Sequence, residues 1–265
     1  MKIIDSHCHV YPQNIASRAV RGVSDFYDGV HSFGDGLAST VRQLWPGRGV
    51  SHAVIFSVAL KVEQIKSINS FIANTVATDP SFFTGLGTVH QDAPDMGEVV
   101  ESIISLGLRG VKIHPDEQGC AIDDTRFLSM YEACGDRIPV LIHTGDSRYD
   151  FSNPDRMANA LRLFPNVTFI GAHYGGWSVW DEAVAKLSRF DNFFVDTSST
   201  FNWVSSACVK SYIRAYGSSK IMFGSDFPMW DVKPEIDSLM ALNLSDREYE
   251  DIFHNTAEAL FHINP

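Results

Sequence analysis

The 265-residue sequence predicts an α/β protein whose parallel strands close into a single (β/α)₈ barrel of the TIM type. Three observations carry the expectation. Eight short apolar, β-rich segments recur along the whole chain, amphipathic helical patterns fall between them, and the length suits eight such units.

The segments are 2–9, 53–58, 82–89, 110–114, 139–143, 167–173, 192–197 and 220–226. From His9 to Asp226 their ends recur about every 31 residues, close to the ~30 residues of a β-loop-α unit. Between them Val62, Ile65, Ile68, Ile72 and Val76 mark one helical face, and Met157, Ala160, Leu161 and Phe164 mark another. Helix punctuation agrees: Asp123 and Asp124 precede the segment ending near Cys134, Pro94 opens the one through Leu106, and Gly107 follows it. A doubly wound open sheet is the competing arrangement, but no G-x-G-x-x-G follows the first strand. One connection breaks the rhythm. Residues 10–36 form a long excursion after the first strand, rich in glycine (Gly22, Gly29, Gly34, Gly36), and read as a loop that is a candidate lid.

Composition narrows the class of function. With 45% hydrophobic and 20% charged residues the chain is globular, and at this length a core forms without help from disulfides or metal. Its apolar runs fall far short of the ~20 residues that span a bilayer, so no membrane association is expected. The first ten residues carry Asp5, His7 and His9 where an export signal needs an apolar run, which makes the cytoplasm the expected location. Cys8, Cys120, Cys134 and Cys208 are scattered without a C-x-x-C pair and read as reduced thiols. A net charge of -11 without a basic cluster argues against nucleic acid and leaves a small molecule as the expected partner.

Six of the ten histidines, His7, His9, His90, His114, His143 and His173, fall at or just beyond a predicted strand's C-terminal end. In a (β/α)₈ barrel those ends surround one shared mouth. Strict alternation along the first strand turns His7 and His9 to one face with Asp5, and Cys8 to the other. His143 and His173 each close an apolar strand, and Asp226 closes the last. Four imidazoles and a carboxylate gathered at one mouth are costly to bury without a cation, so the set reads as a metal site.

The stretches Asp5–His9 (DSHCH), Val111–Pro115 (VKIHP), Ile142–Gly145 (IHTG), Gly171–Gly176 (GAHYGG), Phe223–Pro228 (FGSDFP) and Asn255–Ala257 (NTA) together resemble the amidohydrolase superfamily, in particular the amidohydrolase 2 branch that contains aminocarboxymuconate semialdehyde decarboxylase. The resemblance runs from the first strand to the last helix. It implies that His7, His9, His143 and Asp226 hold one divalent metal, with His173 as the catalytic histidine and Asn255 in a helix cap. In binuclear relatives a carboxylated lysine of the fourth strand bridges two metals; Lys112 stands at that position, and the one-metal arrangement is the expectation taken from the branch. Relatives of this kind often dimerise, so a homodimer is expected.

An N3O donor set suits Zn²⁺ first, with Mn²⁺, Fe²⁺ or Co²⁺ also compatible. Such an ion lowers the pKa of water from ~15.7 to ~7 and polarises a carbonyl. The first expectation is therefore a hydrolase acting on an ester, lactone or amide of a small molecule, with Asp226 accepting the water's proton and His173 orienting the water. The alternative is a non-oxidative decarboxylase of an unsaturated or aromatic acid, and a non-catalytic metal-binding protein comes third. Arg148, in the loop after His143, is the candidate for gripping a substrate carboxylate, ahead of Arg18 and Arg21 in the excursion. Trp177, Trp203 and Trp230 follow strand ends and, with Tyr149 and Phe151, suggest an aromatic mouth.

Overall fold

The computed structural model describes residues 1–263, and its strands are β1 (Ile4–His9), β2 (His52–Phe56), β3 (Phe83–Gly85), β4 (Gly87–Thr88), β5 (Val111–Ile113), β6 (Val140–Ile142), β7 (Phe169–Gly171), β8 (Phe193–Asp196) and β9 (Ile221–Met222). Every strand pair is parallel. β3 and β4 are two halves of one stave: Leu86 N donates to Ile55 O on one side and Gly87 N to Gly110 O on the other. The ring closes between β9 and β1, where Ser6 N donates to Phe223 O, Asp226 N to His7 O and His9 N to Phe227 O, at 2.7–3.0 Å. The eight predicted segments are thus the eight staves of a (β/α)₈ barrel, each shorter than its apolar run because the ends splay into loops.

Alternation along the staves divides the apolar side chains into two cores. Ile4, Val54, Leu86, Leu141, Ile170 and Met222 fill the barrel interior, while Ile55, Val111, Val140, Phe169 and their neighbours face the helices. Each buried side chain of this size contributes about 1.5–3 kcal/mol. The alternation fails at one place that matters. β1 shifts register between Asp5 and Cys8, so Asp5 does not share the face of His7; it turns outward to Trp45, whose Nε1 donates to Asp5 Oδ2 at 2.8 Å.

Helix starts follow the acidic caps. Asp124 caps the helix Thr125–Cys134 through Arg126 N, and Asn153 caps Pro154–Leu163 through Arg156 N. The helix Met96–Ser105 begins one residue past Asp95, which accepts from Glu98 N, so the cap is Asp95 and Pro94 lies outside. Asn255 caps nothing: it ends a wide helical turn over Asp251–Asn255 that continues directly into Thr256–Phe261, and its side chain reaches back to Asp251.

The excursion over residues 10–36 is not a loop throughout, since it contains the helix Ala16–Phe26. The segment returns across the barrel mouth, where Phe33 N donates to Met229 O, Gly34 N to Pro228 O and Tyr11 N to Gly36 O. Gly34 is required there, because a Cβ would stand 2.3 Å from the Phe227 ring. Of the glycines that looked like loop formers, Gly22 lies within that helix and Gly29, Gly34 and Gly36 follow it.

A second close approach joins the loops after β6 and β7. Gly145 has φ +96°, and a Cβ on it would lie 2.4 Å from Gly176 Cα. Gly145→Ala is expected to lower stability by about 2 kcal/mol or more, read as a shift of the urea midpoint at constant m value.

Candidate metal centre

Three side chains from the two ends of the chain meet where the barrel closes. His7 Nε2 and His9 Nε2 are 3.2 Å apart, and Asp226 Oδ1 lies 3.4 Å from the first and 3.5 Å from the second. The polarity of His7 is set from behind, because its Nδ1 lies 2.8 Å from Asp196 Oδ2, a buried carboxylate to which it donates. The Nε2 lone pair therefore points inward, at two further acceptors. Burial pushes His9 well below the usual imidazole range, with His7 and Lys112 adding to it. Burial alone would raise Asp196, but the imidazoles of His7 and His173 and the Ser198 hydroxyl hold it well below the ordinary carboxylate range. Convergent lone pairs without protons repel one another, and a divalent cation is the species that fits them.

His143 and His173 stand beside this trio in a continuous hydrogen-bonded row. His173 Nδ1 lies 2.9 Å from Ser198 O, and its Nε2 is 3.1 Å from His143 Nδ1. His143 Nε2 is 3.3 Å from the Tyr27 hydroxyl, which is 3.0 Å from His114 Nε2, and His114 Nδ1 accepts from Glu117 N. A carbonyl can only accept and an amide N–H can only donate, so the two ends assign every proton between them. His173 carries its proton on Nδ1, His143 on Nδ1 and His114 on Nε2, and Tyr27 donates to His143. Burial lowers all three imidazoles and raises the Tyr27 phenol, which keeps the row neutral. His114 and His143 stack at 3.9 Å, and with Asp116 they form a second group of ligand atoms that lie close together. Among the described residues His143 is thus bonded to Tyr27 and His173, one imidazole away from the trio with which it was expected.

Several functional positions hold strained backbone. His173, Tyr174, Ser199 and Asp226 have φ of +59°, +54°, +48° and +65°. Asp226 is steered further by Ser199, whose hydroxyl donates to Oδ2 and itself accepts from Trp230 Nε1. Tyr27, Trp177, Trp203 and Trp230 enclose a space of about 30 Å³ above His143, His173 and Asp226, so the aromatic mouth is present.

Arg148 is placed elsewhere. Its guanidinium fork is held by Asp146, with 2.7 Å to Oδ2, and Nη1 donates to Phe26 O at 2.7 Å. It packs among the rings of Phe26, Tyr27, Tyr149 and Trp177 at 5.0–5.7 Å, clamping the excursion onto the barrel. The donors expected to grip a substrate are engaged within the protein. Lys112 lies in the barrel interior with Nζ 5.2 Å from the Phe56 ring, and burial lowers it to about 8 against the pull of Asp196 and Asp226. His90 turns away and accepts from Asp92 N.

Asp196 and Tyr27 were not read from the sequence. Asp196 had a signal, an acid closing a strand just as Asp226 does. Tyr27 had none, since it arrives from a helix of the excursion.

The sequence profile of the amidohydrolase 2 family, described as amidohydrolase, matches residues 4–263. The chain belongs to the amidohydrolase family. No curated protein is matched by the sequence. Among solved structures, this amidohydrolase resembles an uncharacterised TIM-barrel protein from Bordetella bronchiseptica (20% identity, TM-score 0.82, 99% of both chains covered). It also resembles 5-carboxyvanillate decarboxylase from Sphingomonas paucimobilis (18%, 0.76, 99% of both chains). A third is a dihydroxybenzoic acid decarboxylase from Polaromonas sp. JS666 with bound manganese (16%, 0.75, 100% of this chain and 98% of that one). At these identities the likeness speaks for the shared fold.

Asp196→Asn replaces a carboxylate partner of His7 with an amide of similar shape. It is expected to weaken Zn²⁺ or Mn²⁺ binding by the amidohydrolase about 10–100-fold with little loss of folded protein, measured by competition against a chelator.

Proposed function

We propose that this amidohydrolase is a non-oxidative decarboxylase of an aromatic or unsaturated carboxylic acid, working with one divalent ion held by His7, His9, His143 and Asp226. Joining the set requires His143 to exchange Tyr27 for the ion. Zn²⁺ and Mn²⁺ both suit these donors. The ion, when bound, withdraws electron density from the acid and orders it on the pocket floor.

The observation that carries the reading is the aromatic roof above the acid–base groups. Tyr27, Trp177 and Trp230 line a small cleft together with Asp226 and His173. Loss of CO₂ turns a charged carboxylate into a neutral molecule, which aromatic surroundings favour more than water does. The names of two similar structures, both decarboxylases of hydroxylated aromatic acids, support the same choice over the hydrolase that the sequence placed first.

In this reading a proton taken up from solvent is relayed by Asp226, oriented by Ser199, to the carbon bearing the carboxylate. The C–C bond then breaks, its electron pair returns to the ring or double bond, and CO₂ leaves. The balance is R–CO₂⁻ plus H⁺ giving R–H plus CO₂. His173, donating to the Ser198 carbonyl and accepting from His143 Nδ1, fixes the orientation of the His143 imidazole beside the substrate.

Metal-loaded protein should release CO₂ from members of a panel of hydroxybenzoates and unsaturated acids while leaving esters and lactones intact. Hydrolysis without gas would overturn the assignment. His173→Asn is expected to keep its metal within about twofold and to lose about 10²–10⁴ in rate. Metal loss equal to that of His143→Ala would instead indicate a two-metal site.

A further inference from the structure

The space above Asp226 and His173 has room for little more than a water molecule, whereas a substrate needs a chamber. One opens on the other side of His9. It has about 560 Å³ of free volume and lies between the helix Ala16–Phe26 and the segment that follows β2. Its wall runs along Ala19 and Val23 of that helix, with Ile15 just before it, and meets Leu60 and Ile68 across the gap. His9 belongs both to this wall and to the metal trio, so the chamber ends at the chemistry.

Polar groups divide unevenly along it. Glu117 stands on the wall together with His9, and burial pushes its carboxyl up to about 7. Arg18, on the helix, is the one lysine or arginine side chain in the lining, and it is exposed to solvent. Among the described residues Arg18 makes no ion pair, although the chain carries a net charge of -11, whereas Arg42 pairs with Asp79, Arg48 with Asp231 and Arg148 with Asp146. A free guanidinium at the edge of an otherwise apolar chamber is a receptor for an anion.

We propose that the chamber receives the body of the substrate, an aromatic or extended apolar dicarboxylic acid whose reacting carboxylate lies at His9 and the trio while its second carboxylate pairs with Arg18. This rests on the decarboxylase reading of the same site and adds the substrate class and a specificity residue. Arg148, which the sequence favoured for this task, is already committed to Asp146, and that leaves Arg18 as the chamber's available cation.

Equilibrium titration tests it without turnover. Terephthalate, naphthalene-2,6-dicarboxylate and biphenyl-4,4′-dicarboxylate are compared with the corresponding monocarboxylates on Zn²⁺-loaded and metal-free full-length protein. At least one diacid should bind threefold or more tighter than its monoacid, and Arg18→Gln should remove that difference while the monoacid is unaffected. Ala19→Trp, which fills the chamber, should weaken the naphthalene and biphenyl acids tenfold or more with metal uptake unchanged. An unaltered diacid preference in Arg18→Gln, no preference in the parent protein, or undiminished binding in Ala19→Trp would overturn the proposal while leaving the metal site as read. Failure to take up Zn²⁺ or Mn²⁺ would overturn the reading of the site, and the metal-free titrations would still decide the chamber.

Discussion

The carboxylate of Asp5 joins the two ends of the chain, and the position of every group at the mouth depends on it. It accepts from Trp45 Nε1 and from the Ser225 hydroxyl on one oxygen, and from the Ser225 and His7 amides on the other, at 2.6–3.2 Å. Burial raises this carboxyl, and the Ser225 and Trp45 bonds pull it back. A buried carboxylate is tolerable only when saturated with donors in this way, and removing one would leave the rest of the penalty in place. Because Ser225 precedes Asp226 and Asp5 precedes His7 by two residues, the same bonds that close the barrel bring the atoms of the candidate metal centre together.

Two layers then fix how those atoms point. Asp196 takes the outer nitrogen of His7, Ser199 takes one oxygen of Asp226, and the Ser198 carbonyl takes one nitrogen of His173. Left-handed backbone at His173, Ser199 and Asp226 is held against its own cost by these contacts. The result is a set of lone pairs whose mutual repulsion is relieved by a cation, so the same arrangement that strains the protein selects its ligand.

The excursion after β1 completes the enclosure. Arg148 stacks on Phe26 and Tyr27 and bonds the backbone at the end of the helix, which drops the Tyr27 hydroxyl between His114 and His143. The end of this helix thereby covers His143, His173 and Asp226 through Tyr27, and its side walls a larger chamber. Arg148 holds the end of the helix from within the protein, while Arg18 on the same helix faces solvent.

Much of this was legible in the chain itself. The stave rhythm and the placement of His7, His9 and Asp226 at strand ends follow from local periodicity, which depends on neighbours two to four residues apart, and their grouping follows from the shared barrel mouth and the family resemblance. Asp5 was misplaced by strict alternation because a single bulge reverses the faces, and nothing near Asp5 announces it. The arrival of Tyr27 at His143, the docking of Arg148 on the Phe26 carbonyl and the chamber beside His9 were decided only when distant segments packed together. Sequence periodicity determines which faces are buried, whereas ring closure and lid docking choose which buried or polar groups meet, and those choices are made by contacts between residues that share no local pattern.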